Sequence, residues 1–320
     1  MSTDAEPREP SVTSETPGTP GPPAPQGTSG ESAPQGTPAP QGTPGESAPQ
    51  GSPAPQGSLA PPGHDCASCA LQENLVQMGV SLDRWDYVIA LAGNPNVGKS
   101  TVFNALTGLK QHTGNWPGKT VNRAEGGFEF NGNRYKMIDL PGTYSLLSAS
   151  IDEEIARDFI LFGRPDCTLI VVDATMLERN LNLALQVLEI TERAVVCLNL
   201  MDEAERKGIS VDHRSLSREL GVPVVPVSAR KKEGLGLLMR TVADVIQGTI
   251  KNAPRRITGN DELDRTVDTI TGMLQASYPD LPNPRWIAFR LLDGDYRVRR
   301  ALETGEFNRM GIQANAIDGA

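Results

Sequence analysis

The stretch Gly93-Asn94-Pro95-Asn96-Val97-Gly98-Lys99-Ser100 fills every fixed position of G-x-x-x-x-G-K-[ST]. The apolar run before it, Tyr87–Ala92, predicts a buried strand, and Val102, Phe103 and Leu106 after it fall at helical spacing. A strand, a glycine-rich turn and a helix N-terminus bring backbone N–H groups and the positive end of the helix dipole to one point, which suits phosphates. Lys99 is then expected to reach the β- and γ-phosphates, and the Ser100 hydroxyl to ligate Mg²⁺. The expected ligand is a nucleoside polyphosphate.

Three further elements follow in order, each at the end of a predicted strand. Two strand-like runs, Ala124–Phe130 and Arg134–Ile138, flank Asn131-Gly132-Asn133, a hairpin signal, and the second delivers Asp139-Leu140-Pro141-Gly142. A D-x-x-G in that place holds Mg²⁺ through water and senses the γ-phosphate by a glycine N–H. The run Thr168–Asp173 reads as a strand buried on both faces, followed by a helix with Leu177, Leu181, Leu185 and Leu188 on one side. The strand Ala194–Leu198 ends in Asn199-Leu200-Met201-Asp202. A carboxylate at Asp202 accepts from both N1–H and the exocyclic amine of guanine, and adenine offers neither donor in that arrangement. After a helix through Leu216 and Leu220, the strand Val222–Val227 contains Pro223 and Pro226, which predict an edge position or strand ends. Ser228-Ala229-Arg230 then supplies a turn to pack on the base. Lys110 to Val121, with Gly118, Lys119, Thr120 and Val121, shows no sustained periodicity and reads as a loop.

The first 63 residues are dominated by Pro, Gly, Gln, Ser and Ala, with almost no large apolar side chain, and are expected to be disordered. From Gly18 to Gly63 every third residue is Gly or Ala, but a collagen helix needs Gly throughout, so a solvated spacer is the better reading. This tail holds six acidic side chains and one Arg, so the net charge of −9 is shared between tail and folded part. An acidic chain argues against a nucleic-acid groove, and no run is long and apolar enough for a membrane span, so a soluble cytoplasmic protein is expected. In the lead-in, residues 64–83, His64, Cys66 and Cys69 offer a metal up to three ligands, with a plain exposed lead-in as the alternative. Leu71, Leu75 and Met78 predict a short helix there, and Cys167 and Cys197 read as buried small hydrophobes. Beyond a nucleotide domain at 84–248, residues 249–320 lose strand signals. Leu263, Val267, Ile270 and Leu274 share a helical face, with further helices near Arg285–Leu292 and Tyr296–Leu302.

Residues 84–305 resemble the cytoplasmic N-terminal part of FeoB, the bacterial ferrous iron transport GTPases. The strings that carry the resemblance are the phosphate loop with Asn-Pro-Asn, Gly114-Asn115-Trp116-Pro117-Gly118-Lys119-Thr120-Val121, Asp139–Leu146, Asp152-Glu153-Glu154, Asn199–Asp202 and Arg285-Trp286-Ile287-Ala288. The resemblance implies an α/β P-loop GTPase, Ras-like, with a mostly parallel sheet between helices, and then a small helical subdomain that modulates GDP affinity. A polytopic membrane domain normally continues the chain. It is missing here, so the sequence is either a piece of a longer protein or a GTPase encoded apart from its permease.

By position, the resemblance implies that Ser100 and Thr120 ligate Mg²⁺, that Asp139 holds it through water, and that Thr120 and Gly142 sense the γ-phosphate. Asn96 matches a residue that coordinates K⁺, with carbonyls of the Asn115–Gly118 loop completing the shell. Thr143 stands where Ras-like enzymes carry a water-orienting Gln, which implies slow hydrolysis and a switch role. Leu200 replaces the Lys that usually covers the base, which implies faster GDP release, and Asn122 replaces a frequent acidic residue. The implied function is a GTP-hydrolysing switch regulating ferrous iron uptake at the inner face of the cytoplasmic membrane. A permease domain or chain would be its partner, and self-association is left open. An RNA- or ribosome-associated assembly GTPase, which shares the Asn-Pro-Asn loop, is the alternative, disfavoured by the acidic charge.

Overall fold

The computed structural model describes residues 74–108, 111–147, 150–256 and 259–305. The N-terminal tail and the His64, Cys66 and Cys69 segment lie outside the described residues, as does Leu71.

Apolar runs bounded by polar or Gly positions become the central strands, and two segments of more polar residues become the strands of one edge. The strands are β1 (Tyr87–Gly93), β2 (Gln111–Asn115), β3 (Asn122–Phe130), β4 (Asn133–Asp139), β5 (Cys167–Asp173), β6 (Ala194–Asn199) and β7 (Val224–Pro226). They form one sheet in the order β2-β3-β4-β1-β5-β6-β7. β4-β1-β5-β6-β7 pair in parallel, while β2 and β3 add antiparallel at one edge. The Asn131-Gly132 turn joins β3 to β4 with φ of 50° and 80°, both left-handed, as a tight two-residue hairpin requires. As its prolines predict, β7 is the other edge strand.

The nucleotide-domain helices are α1 (Lys99–Thr107), α2 (Ile151–Leu161), α3 (Leu177–Ile190), α4 (Met201–Arg206), α5 (His213–Leu220) and α6 (Leu235–Ile246). The C-terminal three are α7 (Asp261–Ser277), α8 (Pro284–Leu292) and α9 (Tyr296–Glu303), each close to its predicted place. Alternate residues of the central strands feed two cores, because successive side chains point to opposite faces. Ile89, Leu91, Met137, Leu169, Val195 and Cys197 pack with Val102 and Phe103 of α1 and Leu238 and Val242 of α6. Val88, Ala90, Ile138, Ile170, Val172 and Val196 pack with Phe159 of α2 and Leu183 and Val187 of α3. Val267, Leu274, Trp286 and Ile287 of α7 and α8 continue that second core without a break. Cys167 and Cys197 are fully buried, and burial pushes both thiols well above the usual range, so they act as small hydrophobes.

One expectation needs correcting. The stretch read as a loop from Lys110 contains β2, whose residues 112–115 are exposed; an edge strand pairs by backbone alone and needs no apolar alternation. On α3 the buried face runs through Asn180, Leu183, Ala184, Val187 and Leu188, with Leu177, Leu181 and Leu185 only partly covered along its margin. The leucine stripe marks one side of that face, and Ala184 is fully buried within it. No helix among the described residues is long and apolar enough to cross a membrane.

Candidate functional site

β1 has β4 on one side and β5 on the other, so the chain leaves it in opposite directions, and the crevice at its carboxyl end is where such sheets bind ligands. The loop Gly93–Gly98 occupies that end and α1 begins at Lys99. Gly98 has φ 81°, and a Cβ there would stand 2.4 Å from Asn199 Nδ2, so only glycine fits. Asn96 is exposed, with φ 67°, and Ser100 is exposed in the first turn of α1.

The predicted elements converge on this loop. Lys99 Nζ is ion-paired with Asp139 and donates to Leu140 O at 2.6 Å. Burial raises the Asp139 carboxyl above its ordinary range, and the attraction of Lys99 opposes this without reversing it. Gly142 lies against Pro95, its Cβ position 3.4 Å from Pro95 Cα. Asn199 is 1% exposed; its Nδ2 donates to Val97 O at 3.0 Å, and its Oδ1 accepts from Ala229 N at 3.1 Å. One amide thereby ties the phosphate loop to the Ser228–Arg230 turn. Ser228 Oγ accepts from Asp202 N at 3.1 Å, and Leu200 takes the left-handed region at φ 61° to start α4. Asp202 is half-buried in the first turn of that helix, Met201 beside it is also half-buried, and Arg230 is exposed.

The Gly118–Asn122 loop is held from another side. Trp116 N donates to Val121 O at 2.9 Å, Lys119 N to Trp116 O at 3.0 Å, and Lys119 Nζ approaches Glu154 of α2 at 3.4 Å. Thr120 is exposed. Sequence reasoning missed the role of Glu154, which also accepts from Arg297 of α9 (Nη1, 2.9 Å) and so links this loop to the C-terminal helices. It missed α2 as well, although Ser150-x-x-Glu153 is a capping signature; Ser150 Oγ accepts from Glu153 N at 3.2 Å. Thr143, in place of a water-orienting Gln, is buried.

A phosphate loop at the switch point, an aspartate at the end of the neighbouring strand, and an Asn-x-x-Asp element braced by a Ser-Ala-Arg turn define a P-loop GTPase. Residues 87–242 match the family model described as "Ferrous iron transport protein B". The chain is similar to the Fe(2+) transporter FeoB of Methanocaldococcus jannaschii, 45% identical over 222 residues covering 69% of this chain and 32% of that protein. It is 40% identical to the Salmonella typhimurium transporter over 224 residues, 66% of this chain and 27% of that one. Among solved structures, the cytosolic domain of L. pneumophila FeoB matches with TM-score 0.62 at 34% identity, covering 70% of this chain and 87% of that chain. A mutant S. thermophilus NFeoB bound to GDP matches with TM-score 0.61 at 37% identity, over 67% and 82%. The chain belongs to the FeoB family, and what is present here is its GTP-binding domain with the helices that follow. It spans about a third or less of the curated relatives' length.

Proposed function

We propose that this protein is a slow GTP-hydrolysing switch that regulates ferrous iron uptake at the inner face of the cytoplasmic membrane. Its partner would be a permease, either further along the same polypeptide or a separate chain. The observation that carries the reading is the convergence of three sequence-distant elements on Gly93–Ser100, joined through Lys99 and Asn199. The buried amide of Asn94 adds support. Neither of its polar atoms finds a partner among the described residues, a cost of about 1–3 kcal/mol per group that a polar ligand would relieve.

In this reading Lys99 and the loop amides hold the β- and γ-phosphates, and Gly142 senses the γ-phosphate. Ser100, Thr120 and Asp139 supply hard oxygen donors for Mg²⁺. That donor set fits, because Mg²⁺ in nucleotide sites takes one or two protein oxygens and completes its shell with phosphates and water. Among the described residues no cluster of three or more His, Cys, Asp or Glu offers it a different cage. Bound there, Mg²⁺ would neutralise charge developing between the β- and γ-oxygens. Asn96 would hold K⁺ beside the phosphates, where other GTPases insert an arginine. With Thr143 buried, the attacking water would be oriented chiefly by backbone groups, consistent with slow turnover.

Two measurements test this. Hydrolysis in K⁺ should exceed that in Na⁺ by roughly tenfold, with the difference collapsing in Asn96→Ala; equal rates in both salts would remove the cation assignment. Cells carrying Lys99→Ala in place of the parent, at equal protein level, should lose radiolabelled ferrous iron uptake by roughly tenfold or more. Parental uptake would separate this domain from iron transport.

A further inference from the structure

Residues 74–86 lie before the family match, which begins at 87, and the nucleotide site makes no use of them. They are nevertheless built into the loop that carries Thr120. Residues 74–77 make one helical turn, and Gly79, at φ 78°, reverses the chain so that Val80 N donates to Leu75 O at 2.9 Å. Leu75 and Val80 are buried in the same cluster as Trp116, Ile155 and Phe159. The Trp116 ring meets Phe159 of α2 edge to face, centroids 5.4 Å apart.

Arg123 is the junction. Its Nη1 donates to Met78 O at 3.0 Å and its Nη2 to Gly79 O at 2.8 Å. Its guanidinium stands 5.3 Å from the Trp116 ring centre and is ion-paired with Glu125 at 2.7 Å. A Cβ at Gly79 would lie 2.8 Å from Pro117 Cγ, so the turn abuts the Asn-Trp-Pro-Gly string directly. Lys136 extends the attachment, donating to Ser81 O at 2.7 Å while pairing with Glu125 at 2.6 Å. A loop whose own residues are mostly exposed opens at low cost, so contacts made to it from outside set how readily it moves. Here those contacts are the Arg123 guanidinium over the Trp116 ring, the approach of Gly79 to Pro117, and the burial of Trp116 with Leu75 and Val80, while two charge-assisted bonds from Arg123 fix the 78–79 turn beside them.

We infer that residues 74–86 are an intrinsic clamp on the nucleotide-sensing loop 116–121, with Arg123 as its positioning residue. The clamp holds Trp116 against α2 and Pro117 against the Gly79 turn, and retards the loop rearrangement that accompanies nucleotide exchange. This inference rests on the reading that the loop senses nucleotide.

The test uses the full chain with Arg123→Gln, Arg123→Lys and Gly79→Ala. It follows amide hydrogen exchange at Trp116 and Lys119, and the release rate of a fluorescent GDP analogue. Arg123→Gln and Gly79→Ala should speed both by about threefold or more. Arg123→Lys, which keeps the charge and loses the fork to two carbonyls, should fall between Gln and parent. Faster exchange confined to 74–83, with Trp116, Lys119 and GDP release at parental values, would overturn the clamp. Should Gly79→Ala fail to fold, the two Arg123 variants decide. A parent that binds no GDP would sink the nucleotide reading instead, and the amide-exchange comparison would still report on the clamp.

Discussion

Replacing Asp202 by Asn is expected to shift the base preference from guanine to xanthine nucleotides by roughly a hundredfold or more. In the proposed reading the carboxylate accepts two hydrogen bonds from guanine, at N1–H and the exocyclic amine, and xanthine carries an oxo group where that amine stands. An Asn side chain offers that oxo group an N–H donor, whereas toward guanine the same N–H faces another donor. The backbone keeps the residue in place either way, since Asp202 N donates to Ser228 Oγ at 3.1 Å. Because the side chain is only half-buried, stability should change by no more than about 0.5 kcal/mol. Calorimetric titration with GDP and XDP measures the switch. Unchanged preference would place the base elsewhere.

Asn199→Ala should be the most damaging single change away from the phosphates. Its amide is fully enclosed and serves two backbone groups of different elements, Val97 O at 3.0 Å and Ala229 N at 3.1 Å. Removing it strands both, at about 1–3 kcal/mol each before relaxation, so a stability loss of about 2–4 kcal/mol is expected. It also frees Gly98 and the Ser228–Arg230 turn to drift apart, and GDP affinity should fall roughly tenfold or more, since positional errors of this kind are costly. Asn199→Asp keeps the acceptor for Ala229 but sets a buried carboxylate oxygen against Val97 O, acceptor facing acceptor, so it should cost at least as much stability as Asn199→Ala. Denaturant unfolding and GDP titration of the variants read the two effects separately. Parental GDP affinity in Asn199→Ala would mean that the backbone alone holds the loop and turn in register.

What could be read from residues follows from where each signal is local. The four central strands were legible because Val88–Ala92, Met137–Ile138, Leu169–Val172 and Val195–Leu198 are buried on both faces and leave continuous apolar runs. The phosphate loop, Asp139 and Gly142, and Asn199 through Asp202 were legible because each ends such a run. Edge strand β2 was not, since its exposed residues carry no pattern. Nor was α4, only six residues long, and α6 was not picked out although Leu235, Leu238 and Val242 lie at helical spacing along its buried face. Asn199 was legible as part of the Asn-x-x-Asp element, but not the two backbone partners that its amide takes in the structure. Those partners lie at separations of 102 residues for Val97 and 30 for Ala229.

The sequence by itself determined the chemistry this chain can offer: a P-loop, a D-x-x-G, an Asn-x-x-Asp, and a Thr where a catalytic Gln would stand. Those are matters of residue type and local backbone. Only the tertiary structure decided which groups brace one another: Lys99 on Asp139, Asn199 between loop and turn, Glu154 between Lys119 and Arg297, and Arg123 between residues 78–79 and Trp116. The reason is physical. A hydrogen bond or ion pair between elements forms where the packing of the sheet's two cores brings them together, and no local period in the chain records that distance.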